Sequence, residues 1–112
     1  MFGNLANMAA LMKQAKEMQR KMADVHRKLA ASRVEANAGG GMVTVVANGH
    51  QEILSIKFDP AVVKPEEVEF LEELTLAAVN AARRKAEALA KEEMKGLTDG
   101  IGLPDGFTLP GT

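Results

Sequence analysis

Residues 39–60 read GGGMVTVVANGHQEILSIKFDP, and this stretch decides the fold. Two β-rich runs, MVTVVA and ILSIKF, flank Asn48-Gly49. Asn-Gly between such runs is the strongest short-range hairpin signal, because both turn residues accept positive φ. The pattern predicts strands over 42–48 and 51–58. Residues 34–37 add a third, edge strand through the turn at Gly39-Gly40-Gly41. Met42, Thr44 and Val46 alternate with Val43, Val45 and Ala47, so apolar groups occupy both faces and cover is expected on both sides.

Upstream, residues 4–32 contain no Pro or Gly. Met8, Leu11, Ala15, Met18, Met22, Val25 and Leu29 recur there at alternating spacings of three and four, which predicts one long helix with a heptad-like seam and Asn4 as its N-cap. About 28 helical residues span about 42 Å. A compact chain of this size is only about 34 Å across, so the helix should overhang its own domain.

Downstream, Asp59-Pro60 reads as a cap followed by proline in a first helical turn, and Lys64-Pro65-Glu66-Glu67 repeats the proline start with acids at the positive helix end. A second helix is expected over 65–95, with Val68, Leu71, Leu74, Ala78, Ala82, Ala86 and Leu89 inward and Gly96 as C-cap. Residues 97–112, rich in Gly and Pro, form a flexible tail in which Leu97, Ile101, Leu103 and Phe107 are the candidates for docking. The predicted architecture is one α+β domain over 1–96, two long helices flanking a small antiparallel sheet. A symmetric dimer is the simplest way to bury both the overhanging seam and the spare sheet surface.

The chain has 112 residues, 46% hydrophobic and 26% charged, which suits a single soluble domain. It has no cysteine, which excludes disulfides, thiolate nucleophiles and Cys-based metal sites and fits a cytosolic setting. No apolar run is long enough to cross a membrane, and the N-terminus lacks the basic start and apolar core of a secretory signal. With no Trp, no Tyr and four Phe, there is little aromatic surface for stacking single-stranded bases.

The net charge of −1 conceals an asymmetry. Residues 1–34 carry seven basic and two acidic side chains, a net of +5, and the remainder carries −6. Lys13, Arg20 and Arg27 take the same outward place in successive heptads, Lys16 lies one turn from the first two, and Lys21 and Lys28 widen the stripe. A row of cations at about 10 Å steps matches phosphates on a duplex, with counterion release as the driving force. Arg83-Arg84-Lys85 is a second cluster, for which pairing with Glu87 and other acids of its helix competes with anion binding.

Other features carry no chemistry. The glycine run lacks the ending of a phosphate-binding loop and reads as a turn. His26 and His50 stand at no metal-ligand spacing and read as ordinary surface or seam histidines. Glu66, Glu67, Glu69, Glu72 and Glu73 crowd a helix start, where the dipole accounts for them. No catalytic residue, metal site, cofactor or small-molecule substrate is expected.

Three segments, MFGNLANMAALMKQAKEMQRKM, GGGMVTVVANGHQEILSIKFDP and LAAVNAARRKAEALAKEEMKGLT, resemble the YbaB/EbfC family of bacterial nucleoid-associated proteins. The most specific portions are Gly41-Met42-Val43 leading to Asn48-Gly49, Leu54-Ser55-Ile56 with Asp59-Pro60, and Asn80-Ala81-Ala82. The resemblance implies a homodimer of α-β-β-β-α subunits that binds double-stranded DNA through projecting helices, in the cytoplasm at the nucleoid, in an architectural or regulatory role.

It transfers no sharply defined DNA-reading motif. The candidate DNA contacts therefore come from the charge pattern: Lys13, Lys16, Arg20, Lys21, Arg27 and Lys28, with Arg83 and Arg84. The expected dimer interface comprises Met42, Val43, Val45, Ile53, Ile56, Phe58, Leu71 and Leu74. The competing function is a protein-interaction or holdase-like module, in which the Met-rich seam grips an apolar partner.

Overall fold

Val43, Val45 and Ala47 have no solvent exposure, and the architecture follows from what covers them. The computed structural model describes residues 2–100. A first helix, α1, covers Phe2–Ala31, three strands follow at Val34–Ala38 (β1), Val43–Ala47 (β2) and Ile53–Phe58 (β3), and a last helix, α2, covers Val68–Gly100. The strands form one antiparallel sheet in the order β1-β2-β3. This is the predicted α-β-β-β-α arrangement.

Directly paired residues share a face of the sheet. Ala36, Val45 and Ile56 form one row across it, and Ala38, Val43 and Phe58 form the next. These rows face α2, whose Ala78, Ala82 and Ala86 have no exposure. Three alanines at four-residue spacing bring the helix backbone close to the sheet, and enclosing Val43 and Val45 contributes about 1.5–3 kcal/mol each. The opposite face carries Glu35, Asn37, Thr44, Ser55 and Lys57, with Val46 half-buried among them. Cover on both sides of β2 was expected; within one subunit it exists on one side only.

Three contacts give the direction of α2. Leu74 Cδ1 lies 3.1 Å from where a Cβ on Gly39 would stand, Lys85 Nζ donates to the Glu35 carbonyl at 2.7 Å, and Lys28 Nζ meets Glu93 Oε1 at 2.9 Å. The partners fall in reverse chain order, so α2 runs back along β1 and then along α1. Continued at the same pitch, the end of α2 is level with about residue 21 of α1. Some 28 Å of α1 then extends past it; this overhang and the roughly 50 Å of α2 account for the 78 Å long axis. The radius of gyration is 20.8 Å, against about 13 Å for a compact chain of this length. Exposure agrees: Leu29 is buried, Val25, Met22 and Met18 are half-buried, and every residue from 5 to 17 is exposed.

Several local boundaries differ from expectation. Asn4 lies inside α1 rather than capping it. Pro60 and Pro65 each open a short 3-10 turn, the first capped by Asp59 Oδ1 accepting from the Ala61 amide at 3.0 Å, and α2 itself starts at Val68. The helix also continues through Gly96 to Gly100. Leu97 is buried there, and its apolar burial outweighs the roughly 1 kcal/mol that glycine costs a helix interior. Residues 97–100, expected in the tail, therefore belong to α2. Ile101, Leu103 and Phe107 lie outside the described residues.

The turn after β2 is not the two-residue hairpin that Asn48-Gly49 predicts. It covers 48–52, and its one positive φ is 65°, at Gln51. Buried Asn48 organises it: Oδ1 accepts from the amides of His50 (2.9 Å) and Glu52 (3.1 Å), and Nδ2 donates to Glu52 Oε1 at 2.8 Å. Gly49 serves a different purpose. Its amide donates to the Leu29 carbonyl at 2.8 Å, closing the C-terminal end of α1 against the sheet.

Candidate nucleic-acid interface

Helical pitch places Lys13, Lys16, Arg20 and Arg27 within about 60° of one another around α1, roughly opposite the seam of Leu11, Ala15, Met18, Met22, Val25 and Leu29. The seam turns toward α2 where α2 is present, so the cations turn outward. Lys13, Lys16 and Arg20 are exposed, and Lys21 is half-buried at the border of the stripe. None of these four makes an ion pair among the described residues. Glu17 is the only acid between them.

The other two cations of the stripe are engaged within the subunit. Arg27 is bonded to Asp24 one turn away, and Lys28 to Glu93 of α2. Arg27, Asp24 and Lys28 are exposed and Glu93 is half-buried, and ion pairs so open to solvent are weak, so they reduce the availability of these groups more than they stabilise the fold. The part of the stripe without an ion pair among the described residues is thus the overhang: four cations over about 12 Å of helix.

Arg83 and Arg84 are exposed on α2 without an ion pair among the described residues. Pairing with Glu87 was the competing expectation. Glu87 instead meets Lys91 at 3.1 Å, and Lys85 is the member of the cluster bound inward, on the β1 carbonyl. Arg83 and Arg84 lie roughly 30 Å along the long axis from Lys16, so one subunit does not bring the two clusters together.

The residues expected at a dimer interface divide in two. Val43 and Val45 are wholly enclosed in the subunit's own core, and Ile53, Leu71 and Leu74 pack against it. Val43 and Val45 thus have no exposed surface in the subunit, whereas Ile53, Leu71 and Leu74 are half-buried and keep part of theirs. Met42 is half-buried, and its Sδ lies 3.1 Å from the Cβ position of Gly39. Ile56 and Phe58 remain 42% and 41% exposed, because α2 crosses above β1 and β2 and leaves the matching face of β3 open. Beside them Phe58, Val68, Leu71, Thr75, Leu76 and Val79 line a shallow apolar groove with Glu72 at its margin.

One constellation was not legible in the sequence. His26 and His50 are 24 residues apart, yet their rings stack with centroids 5.6 Å apart, and His50 Nε2 bonds the His26 carbonyl at 3.0 Å. With Gly49 beside it, this contact fixes the joint between the sheet and α1, and so the direction in which the overhang points. No group of three or more His, Cys, Asp or Glu suited to a metal ion occurs among the described residues. No described helix is long and apolar enough to cross a membrane.

A protein of Syntrophobacter fumaroxidans named as nucleoid-associated is 49% identical over 100 residues, covering 89% of this chain and 90% of its own. One from Chloroflexus aurantiacus, named likewise, is 50% identical over 95 residues, covering 85% of this chain and 95% of its own. A third, from Granulibacter bethesdensis and also so named, is 45% identical and covers 95% and 99%. The crystal structure of an uncharacterized protein from Helicobacter pylori shares the fold with a TM-score of 0.64 at 22% identity, covering 81% of this chain and 91% of that one. Residues 3–101 match the profile of the YbaB/EbfC DNA-binding family, and the chain belongs to that family.

Proposed function

We propose that the protein is a non-catalytic, nucleoid-associated DNA-binding protein that grips duplex DNA as a homodimer, with an architectural or regulatory role. The observation that carries this reading is the cluster Lys13, Lys16, Arg20 and Lys21, without an ion pair among the described residues, on a helix that projects beyond the rest of the described subunit. Membership of a DNA-binding family supports it, as do the names of the relatives. Cations on a helix face bind phosphates and position the protein without reading base sequence. Counterion release then makes affinity fall linearly with salt on logarithmic axes. Fluorescence anisotropy of a labelled duplex across a salt series should give a slope of about −4 if one overhang is engaged and about −7 if both are. A flat dependence, or no binding at low salt, would reject the reading in favour of a protein-interaction module.

Dimerisation rests on the open face of β3 and the groove beside it. Ile56, Phe58 and Leu76 are large apolar residues exposed together, and contiguous apolar surface of this kind marks an interaction site. Phe58→Glu should therefore yield a folded monomer, with a mass in light scattering of one 12.0 kDa chain. A dimer of undiminished stability in this variant would place the interface elsewhere.

A further inference from the structure

Leu5, Met8 and Met12 are 65%, 59% and 62% exposed, although they are large and apolar. Helical pitch sets them within about 60° of one another around α1, between the seam that faces α2 and the cation stripe, with Leu5 and Met12 about 20° and 40° from Lys16. Met8, Met12, Lys16 and Arg20 stand at successive four-residue steps and form one ridge of side chains, apolar toward the N-terminus and cationic toward the rest of the subunit. Every residue from 5 to 17 is exposed, so the ridge is open along the overhang. Residues 5–16 carry Lys13 and Lys16 and no acid, and two copies of the strip set face to face would bring like charges together. The strip therefore suits an anionic surface that presents apolar groups beside its charges. One leucine and two methionines over about 10 Å are a small footing for a lipid surface, which amphipathic helices hold with a much larger apolar face.

We infer that the overhang of α1 lies in the major groove of duplex DNA, with Lys16 and Arg20 on the phosphates of one wall and Leu5, Met8 and Met12 on the C5-methyl groups of thymines. This rests on the DNA-binding reading and adds a base preference to it. The major groove, about 12 Å wide, admits an α-helix, and the thymine methyl is the apolar group that the bases present there. The overhang has room to enter, because roughly 28 Å of α1 extends past the described end of α2. A ridge that turns from cationic to apolar within one helical turn matches a groove whose wall is charged and whose floor carries methyls. Methionine, unbranched and polarizable, settles on methyls at varied positions, so the preference is for thymine-rich duplex rather than for one sequence. Phosphate contacts alone give no such preference.

Anisotropy with two A·T-rich duplexes of one sequence, one carrying thymine and the other deoxyuridine throughout, isolates the methyl group. Each methyl taken out of water is worth roughly fourfold, so with two or more engaged the thymine duplex should bind about ten-fold tighter, at the same salt slope. In a G·C duplex, 5-methylcytosine in place of cytosine should strengthen binding in the same sense. The full chain carrying Leu5→Ala, Met8→Ala and Met12→Ala keeps good helix formers and should bind the thymine and deoxyuridine duplexes equally. Equal affinities of the unsubstituted chain for the two duplexes, with a salt slope of about −4 or steeper, would overturn the inference and leave the phosphate-binding reading standing. No binding to either duplex would remove both. A thymine preference that survives in the variant would overturn the inference by moving the contact elsewhere. So would a variant that light scattering shows to have lost its dimer, because a second copy would then be the cover, or one that has lost binding to phosphatidylglycerol vesicles, because a lipid surface would be.

Discussion

Combined substitution Lys13→Glu, Lys16→Glu and Arg20→Glu should weaken duplex binding by roughly 500-fold at 0.1 M salt, for one engaged overhang, while leaving the fold intact. With log affinity changing by about 0.9 per phosphate for each tenfold change in salt, every contact is worth close to eightfold between 1 M and 0.1 M, and three act together. The anisotropy slope should flatten by about 3 at the same time, a signature that loss of folded protein does not produce. Stability should hardly move, because all three side chains are exposed and none has an ion-pair partner among the described residues. Arg27→Ala serves as the comparison. Its guanidinium is engaged by Asp24, so its removal should cost at most a few-fold in affinity. Unchanged binding by the triple variant would remove the stripe from the interface.

Gly49→Ala should destabilise the protein by about 3 kcal/mol, the largest stability effect expected of any single methyl group here. A Cβ at that position would stand 2.7 Å from Leu29 Cδ2, 2.8 Å from its Cβ and 2.9 Å from its Cα. The first of these atoms can rotate away, but the Cα is helix backbone, and the amide bond from Gly49 to the Leu29 carbonyl holds the two segments together. Relief requires lifting the end of α1 from the sheet. Chemical denaturation gives the free energy, and the thermal midpoint should fall by roughly 10 °C or more.

Two other glycines separate this cause from backbone conformation. Gly40→Ala meets nothing within 4 Å, but φ is 66°, so a cost of about 1–2 kcal/mol is expected from conformation alone. Gly96→Ala lies in open space inside α2 and should stabilise the helix by about 0.5–1 kcal/mol. If Gly49→Ala cost no more than Gly40→Ala, the close approach of the loop to α1 would have no energetic weight.

These three positions show how far the local reading reached. Gly39-Gly40-Gly41 was legible as a turn, and all three residues do take positive φ. Asn48-Gly49 was legible as a connection between strands, but for a reason that does not operate. Neither residue takes positive φ; Asn48 is there for its side-chain bonds and Gly49 for its lack of a side chain beside Leu29. Both reasons depend on groups that only folding brings near. The His26–His50 stack was illegible on the same grounds.

The elements, their order and the overhang follow from local periodicity. The three-and-four spacing from Met8 to Leu29 makes a helix longer than the domain, alternation makes strands, and the outward heptad positions make a cation stripe wherever the helix ends up. Tertiary structure alone decided which apolar and which charged groups remain available. Because α2 crosses over β1 and β2 and not β3, the subunit encloses Val43 and Val45 yet leaves Ile56 and Phe58 open, although all four belong to the same kind of strand. Because α2 ends near residue 21 of α1, Lys28 finds Glu93 while Lys13, Lys16 and Arg20 find no acid among the described residues. Periodicity states which way a side chain points, and only the path of the other helix states what it meets there.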